Sequence, residues 1–110
     1  MIKKLFFIAL MTTSLATHSA ELIRDATVIE VFNTNTNGAD FGIVLEGGTG
    51  RCVSPTRTVI TFPETKKQSD DSYKQSFAIA LSALSTGMKV RVHNFEDNLC
   101  TGANFIAISR

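Results

Sequence analysis

The stretch SYKQSFAIALSALSTGMKVRVHN, residues 72–94, decides the fold, because its hydrophobic period changes once along its length. Tyr73, Phe77, Ala80, Leu81, Leu84 and Met88 recur at the three- and four-residue spacing of a helix that buries one stripe. Asp70, Asp71 and Ser72 offer N-cap chemistry and acidic groups suited to the helix start, and Gly87 supplies the stop. A second face made of Ala78, Ser82, Ala83 and Ser85 is small enough to let a neighbouring element or subunit approach closely, and it reads equally as a plain solvated face. From Lys89 the pattern alternates. Val90 and Val92 take one face while Lys89, Arg91 and His93 take the other, which is a half-buried strand over residues 89–94.

The chain before this stretch is strand-like. Residues 26–35 (ATVIEVFNTN) alternate and are rich in β-branched side chains, with Thr27, Ile29, Val31 and Asn33 expected on one face and Val28, Glu30, Phe32 and Thr34 on the other. Residues 36–40 (TNGAD) carry Asn-Gly, a turn signal because both residues tolerate positive φ. Residues 41–46 (FGIVLE) are the returning strand, and the glycines of residues 47–50 (GGTG) are expected to break it. Residues 57–62 (RTVITF) read as a third strand ended by Pro63, and residues 64–72 as a solvated loop. After the stretch, residues 95–102 form a loop carrying Cys100, and residues 103–108 (ANFIAI) a last strand with Ile106 and Ile108 inward. Three strands, a helix and two strands fit a mainly β fold, a five-stranded Greek-key barrel of OB type with the helix between strands 3 and 4. The alternative is a small open α+β sheet with one packed helix.

The whole chain has 110 residues, two Cys, no Trp and a formal net charge of +1, enough for a single domain. Its 44% hydrophobic content and low net charge exclude a disordered chain, and the charge balance disfavours a nucleic-acid binder. Residues 1–20 read as a secretory signal peptide: Lys3 and Lys4 precede an apolar run at residues 5–11, and a small, polar stretch follows. That run falls far short of the roughly 20 residues a membrane-spanning helix needs. Cleavage after Ser19 or Ala20 is expected, with Ala16 as the other position. The mature domain, residues 21–110, then carries 9 basic and 10 acidic side chains, net −1, and keeps one histidine, His93. It is expected to be exported, periplasmic or secreted, with no membrane span of its own. In such an oxidising compartment Cys52 and Cys100 are most simply a disulfide, closing a loop of about 49 residues worth roughly 4 kcal/mol in the chain-entropy model.

No constellation of residues carries catalysis. His93 sits on the polar face of its strand with no signalled serine and carboxylate partner. Among Asp25, Glu30, Asp40, Glu46, Glu96 and Asp97 the sequence brings no two together for hydrolysis. Residues 47–50 lack the Gly-Lys-Ser/Thr ending of a phosphate loop. Cys52, Cys100 and a lone His93 do not make a metal site, so neither a metal nor a cofactor is expected. The expected role is therefore binding or assembly without enzymatic activity. Six Phe and one Tyr remain in the mature chain as aromatic platforms. Tyr73, amphipathic and near the helix start, either reaches a surface or packs in the core with its hydroxyl satisfied.

The hairpin ATVIEVF…FGIVLEG, then Cys52, then the quoted stretch with its Thr-Gly junction, then a second Cys, resembles the B subunit of subtilase cytotoxin and its relatives over most of residues 25–108. The resemblance implies an OB-fold protomer, an intrachain disulfide, a homopentamer, and binding of sialylated glycans in the delivery of a toxic A subunit. Glu46 closes the second strand and Asp25 opens the first, near where that family's polar sugar contacts fall. The candidate ligand-binding residues are thus Asp25, Glu46 and Tyr73. A stand-alone periplasmic module that contacts another protein or an envelope component is the other expectation.

Overall fold

The computed structural model describes residues 20–34 and 40–110. Five strands, β1 (Ala20–Asn33), β2 (Phe41–Thr49), β3 (Thr58–Phe62), β4 (Lys89–Asn94) and β5 (Phe105–Ser109), form one sheet in the order β3-β2-β1-β4-β5. Every neighbouring pair is antiparallel. Helix α1 (Asp70–Thr86) lies between β3 and β4 in the chain, after a single 3-10 turn at Glu64–Lys66. The chain is therefore mainly β, an open antiparallel sheet carrying one helix. Of the expected 36–40 turn, residues 36–39 lie outside the described residues, as do residues 1–19 of the expected 1–20 signal segment, whose last residue, Ala20, opens β1.

β1 is the central strand and serves two partners. Ala20 to Thr27 run against β4, from Asn94 to Lys89, and Arg24 to Asn33 run against β2, from Thr49 to Phe41. The strand begins six residues before the expected position 26. Its first half hides from a period-two reading because adjacent Leu22 and Ile23 are both fully buried, and its register with β4 shifts between Glu21 and Ile23 and again before Ala26.

The expected faces of β1 also need correction. Val28 stands opposite Leu45 and Glu30 opposite Val44, so Ile29 is an extra residue, a β-bulge. The bulge resets the phase. Ala26 and Val28 face the core before it and Val31 after it, so Val28 and Val31 share the inner face although they are three residues apart. β2 likewise does not break at Gly47 but continues to Thr49. A side chain at Gly48 would place its Cβ 2.5 Å from the Arg24 carbonyl oxygen, so β1 approaches β2 more closely than any other residue permits. Opposite, Asp25 adopts φ +57°, the left-handed region rare for a non-glycine residue.

Ser69 caps α1: its hydroxyl accepts from the Ser72 N–H while the Ser72 hydroxyl accepts from the Ser69 N–H. Asp70 and Asp71 occupy the first turn and Gly87 ends the helix at φ +75°. The expected stripe is seated only in part: Ala80 is buried and Tyr73 packs against the core, while its larger aliphatic members are not buried. Ser76, Ala80 and Ala83 are buried, whereas Phe77, Leu81 and Leu84 are 41%, 42% and 40% exposed. Small residues let the helix backbone approach the sheet, and this close seat turns the larger row outward to its flank. Of the small face read from the sequence, Ala83 alone is buried; Ala78, Ser82 and Ser85 are exposed.

The core between helix and sheet is filled by Leu22, Ile43, Leu45, Ile60, Phe62, Val90, Val92 and Ile106, with Ala80 and Ala83 from α1. Ile108 is half-buried against it. Cys52 and Cys100 form the expected disulfide, with Cα atoms 5.9 Å apart. It joins the β2–β3 loop to the β4–β5 loop. Beside it, the Thr61 N–H donates to the Cys100 carbonyl at 3.3 Å and the Ala103 N–H donates to the Thr61 carbonyl at 3.0 Å. The edge strand β3 is thus tied to the segment leading into β5 at the opposite edge. Among the described residues no helix is long and apolar enough to cross a membrane.

Candidate functional site

β4 alternates as the sequence implies. Val90, Val92 and Asn94 are buried, while Lys89, Arg91 and His93 point to the outer face of the sheet. Strand register then decides their neighbours. His93 stands between Glu21 of β1 and Phe105 of β5, and Lys89 stands between Thr27 and Ser109. The His93 row carries an aromatic cluster. The His93 ring stacks on Phe95 at 5.3 Å and meets Phe105 edge-on at 5.5 Å, and Phe95 meets Phe105 edge-on at 5.4 Å. Phe95 is 45% exposed, a large apolar ring presented to solvent.

Charged groups surround these rings. The Arg24 guanidinium donates to Glu21 through Nε at 2.7 Å and through a terminal nitrogen at 3.1 Å, a two-pronged pair. Glu21 also accepts from His93 Nε2 at 3.2 Å. The hydrogen bond from Arg24, assisted by its charge and by His93, holds the Glu21 carboxyl below the usual carboxylate range. Arg91 lies over the Phe105 ring at 5.6 Å. Among the described residues no carboxylate lies within ion-pairing distance of Arg91, and Lys89 donates to the Thr27 hydroxyl at 3.3 Å. The face therefore pairs an exposed ring with a guanidinium that no carboxylate neutralises.

Phe95 is held in place from beneath. Its backbone N–H donates to the Asn104 side chain at 3.0 Å. Asn94 is fully buried, and its carbonyl oxygen accepts from the N–H groups of Glu96 and Asp97 at 2.9 and 3.0 Å. Its amide nitrogen donates to Asp97 at 2.6 Å and to the Leu99 carbonyl at 3.1 Å. Asp97 in turn accepts from the Leu99 N–H at 3.0 Å, and this bond, with those from Asn94 and the charge of Lys66, lowers its carboxyl below the usual range. The loop bearing Cys100 is fixed by two asparagines.

The residues singled out from the sequence do not form one site. Glu46 is exposed on β2 opposite Thr27, and exposed Asp25 lies one position before Ala26, which pairs with Gly47, so the two acids share one end of the β1–β2 ladder. Tyr73 is elsewhere. Its ring meets Phe41 edge-on at 5.4 Å and its hydroxyl donates to the Phe62 carbonyl at 2.6 Å. Burial first, then the negative charges of Asp40 and Glu64, raises the Tyr73 phenol above its usual range. Tyr73 thus takes the core alternative. The aromatic face was not singled out from the sequence, although the outward placement of His93 and Arg91 was. The missing information was register, which alone puts Phe105 and Glu21 beside His93.

Among the described residues no three His, Cys, Asp or Glu side chains cluster as a metal site, and no cavity opens in their surface. No curated protein and no solved structure matches this chain. The model of the family described as "Family of unknown function (DUF5992)" matches residues 2–110, so the chain belongs to that family.

Proposed function

We propose that this chain is an exported, disulfide-bonded, non-enzymatic binding module whose contact surface is the outer face of β1, β4 and β5, and that its ligand is another protein or a component of the cell envelope. The observation that carries the reading is the aromatic cluster in which exposed Phe95 rests on half-buried His93 and Phe105, rimmed by Arg91, Arg24 and Glu21. An apolar centre with aromatic and arginine side chains and a charged rim is the composition of a protein–protein contact. Export is supported by the lysine-led apolar run at residues 5–11 and by a disulfide that an oxidising compartment would preserve. An OB-like barrel is supported by the strand order, by the helix between β3 and β4, and by the Thr61 hydrogen bonds that link the two sheet edges.

A second reading keeps the resemblance to the toxin B subunit. A sugar ring would stack on Phe95, and the exposed row Phe77, Leu81 and Leu84 would be covered in a homo-oligomer, a pentamer in that family. The experiment that tests the proposal uses the purified oxidised protein with a photo-crosslinking side chain at position 95 and, as control, at Val59, which is exposed on β3. Envelope proteins trapped from position 95 and not from position 59 are expected. Equal trapping from both positions overturns the contact surface. A glycan-array signal that vanishes in Phe95→Ala, together with a pentameric native mass, selects the second reading instead.

A further inference from the structure

We infer that the outer face recognises an acidic segment of a protein partner, one that presents a carboxylate beside an aromatic or large aliphatic side chain; this rests on the proposed contact surface. The distribution of charge on the face makes the choice. Glu21 is already committed twice, to Arg24 and to His93, so that corner needs nothing further. Arg91 has no such partner, and its guanidinium carbon lies over the Phe105 ring, 5.6 Å from the ring centre. That placement leaves the guanidinium N–H donors free for a carboxylate, which their fork geometry matches with two parallel hydrogen bonds. Lys89, two residues away on the same face of β4, adds a second positive charge that only the neutral Thr27 hydroxyl meets. Exposed Phe95, in contact with Phe105, then offers its ring to an apolar side chain next to that carboxylate. A basic segment would meet Arg91 and Lys89 on the β4–β5 side of the face, the acid of the Lys89 row, Glu46, lying beyond Thr27 on β2, and a purely apolar one would leave the guanidinium under a low-dielectric cover without a counter-charge.

Phage-displayed random peptides selected on the oxidised protein at low salt test this, with the wild type, Arg91→Glu and Phe95→Ala as baits. Wild-type selections are expected to place Asp or Glu within two positions of Phe, Trp or Leu. Arg91→Glu, a change at an exposed residue, is expected to exchange the acid for Lys or Arg and to weaken a wild-type-selected peptide by about three- to tenfold. Phe95→Ala is expected to recover neither class. Peptides that depend on Phe95 but carry no acid, or an acid preference that survives Arg91→Glu, overturn the inference and leave the contact surface standing. Glycan binding that depends on Phe95 without any such peptide does the same. Peptides that bind equally to all three baits overturn the surface as well.

Discussion

The side-chain nitrogen of fully buried Asn94 donates to Asp97 at 2.6 Å, while the Asn94 oxygen accepts the Asp97 backbone N–H at 3.0 Å, so one buried amide closes the β4–β5 loop on both sides. Four hydrogen bonds leave no part of that amide unmet. Asn94→Ala removes all of them and strands the Glu96 and Asp97 N–H groups. The expected loss is about 2–4 kcal/mol, the cost of a buried network left half-satisfied rather than of one bond. Urea melts of the oxidised protein measure it, and Asn104→Ala provides the comparison. Because Asn104 holds the Phe95 N–H at 3.0 Å, its loss is also expected to weaken any ligand held on the outer face.

Gly102 faces the same amide. A Cβ at position 102 would lie 2.7 Å from the Asn94 side-chain nitrogen, which its other bonds keep from moving aside. Gly102→Ala is expected to cost about 1–3 kcal/mol by overpacking. Gly47→Ala makes a useful contrast, because nothing lies within 4 Å of its Cβ position and only its φ of +72° opposes the change. Its expected cost is about 1 kcal/mol, of backbone origin. Denaturation midpoints of the two variants separate packing strain from conformational strain.

These residues also mark what a sequence can and cannot disclose. β4 was legible from Lys89 to His93, since Val90 and Val92 alternate with Lys89, Arg91 and His93 and the irregularities of its ladder lie on β1. β1 was not: the bulge at Ile29 and the paired burial of Leu22 and Ile23 erase the period that identifies a strand. The helix was legible in extent but not in orientation. Phe77, Leu81 and Leu84 stay partly exposed, yet Ala80 and Ala83 are buried with Tyr73 and Ile79 packed beside them, and that preference belongs to the surface the helix packs on. Asn94 gives no sign of burial in a strand that otherwise alternates hydrophobic with charged. The aromatic face was invisible for a related reason. Phe95, Phe105, His93 and Glu21 come from β1, β4, β5 and a loop, and only cross-strand register unites them.

The seat of the helix can be tested directly. If Ala80 and Ala83 are the contact with the sheet, Ala83→Leu is expected to lose about 1–3 kcal/mol through overpacking. Leu81→Gln, at a half-exposed position, is expected to change stability by no more than about 1 kcal/mol. Thermal melts read both. A tolerant position 83 and an intolerant position 81 would restore the large-residue stripe as the buried face.

Acid should act on the loop beneath Phe95. The Asp97 carboxyl is lowered by the Leu99 N–H, the Asn94 amide and Lys66, so the folded state holds its charged form more strongly than the unfolded chain does. Its contribution is therefore fully present above the unfolded value of about 3.9 and is lost as pH falls through the lower folded value. Glu21, lowered by Arg24 and His93, behaves in the same way near its own unfolded value of about 4.3. Asp97→Asn is expected to flatten the fall in stability between about pH 4 and pH 2 while leaving the Glu21 share intact. Urea melts across that range check the difference in slope.

Reduction tests how much of the domain depends on the link between its loops. The 48-residue separation of Cys52 and Cys100 gives an expected loss of up to about 4 kcal/mol on removing the bond. The Thr61 hydrogen bonds to Cys100 and Ala103 lie beside it and join the same two edges of the sheet, so they should remain when the sulfurs part. The paired variant Cys52→Ser, Cys100→Ser is then expected to fold, less stably, with native strand content. Hydrogen exchange at Thr61 and Ala103 is expected to rise by more than at Val90 or Val92 in the interior of β4. Exchange that rises uniformly across all of these amides would mean that the bond stabilises the domain only through the unfolded chain. A local rise confined to the seam would mean that it also holds β3 to the approach of β5.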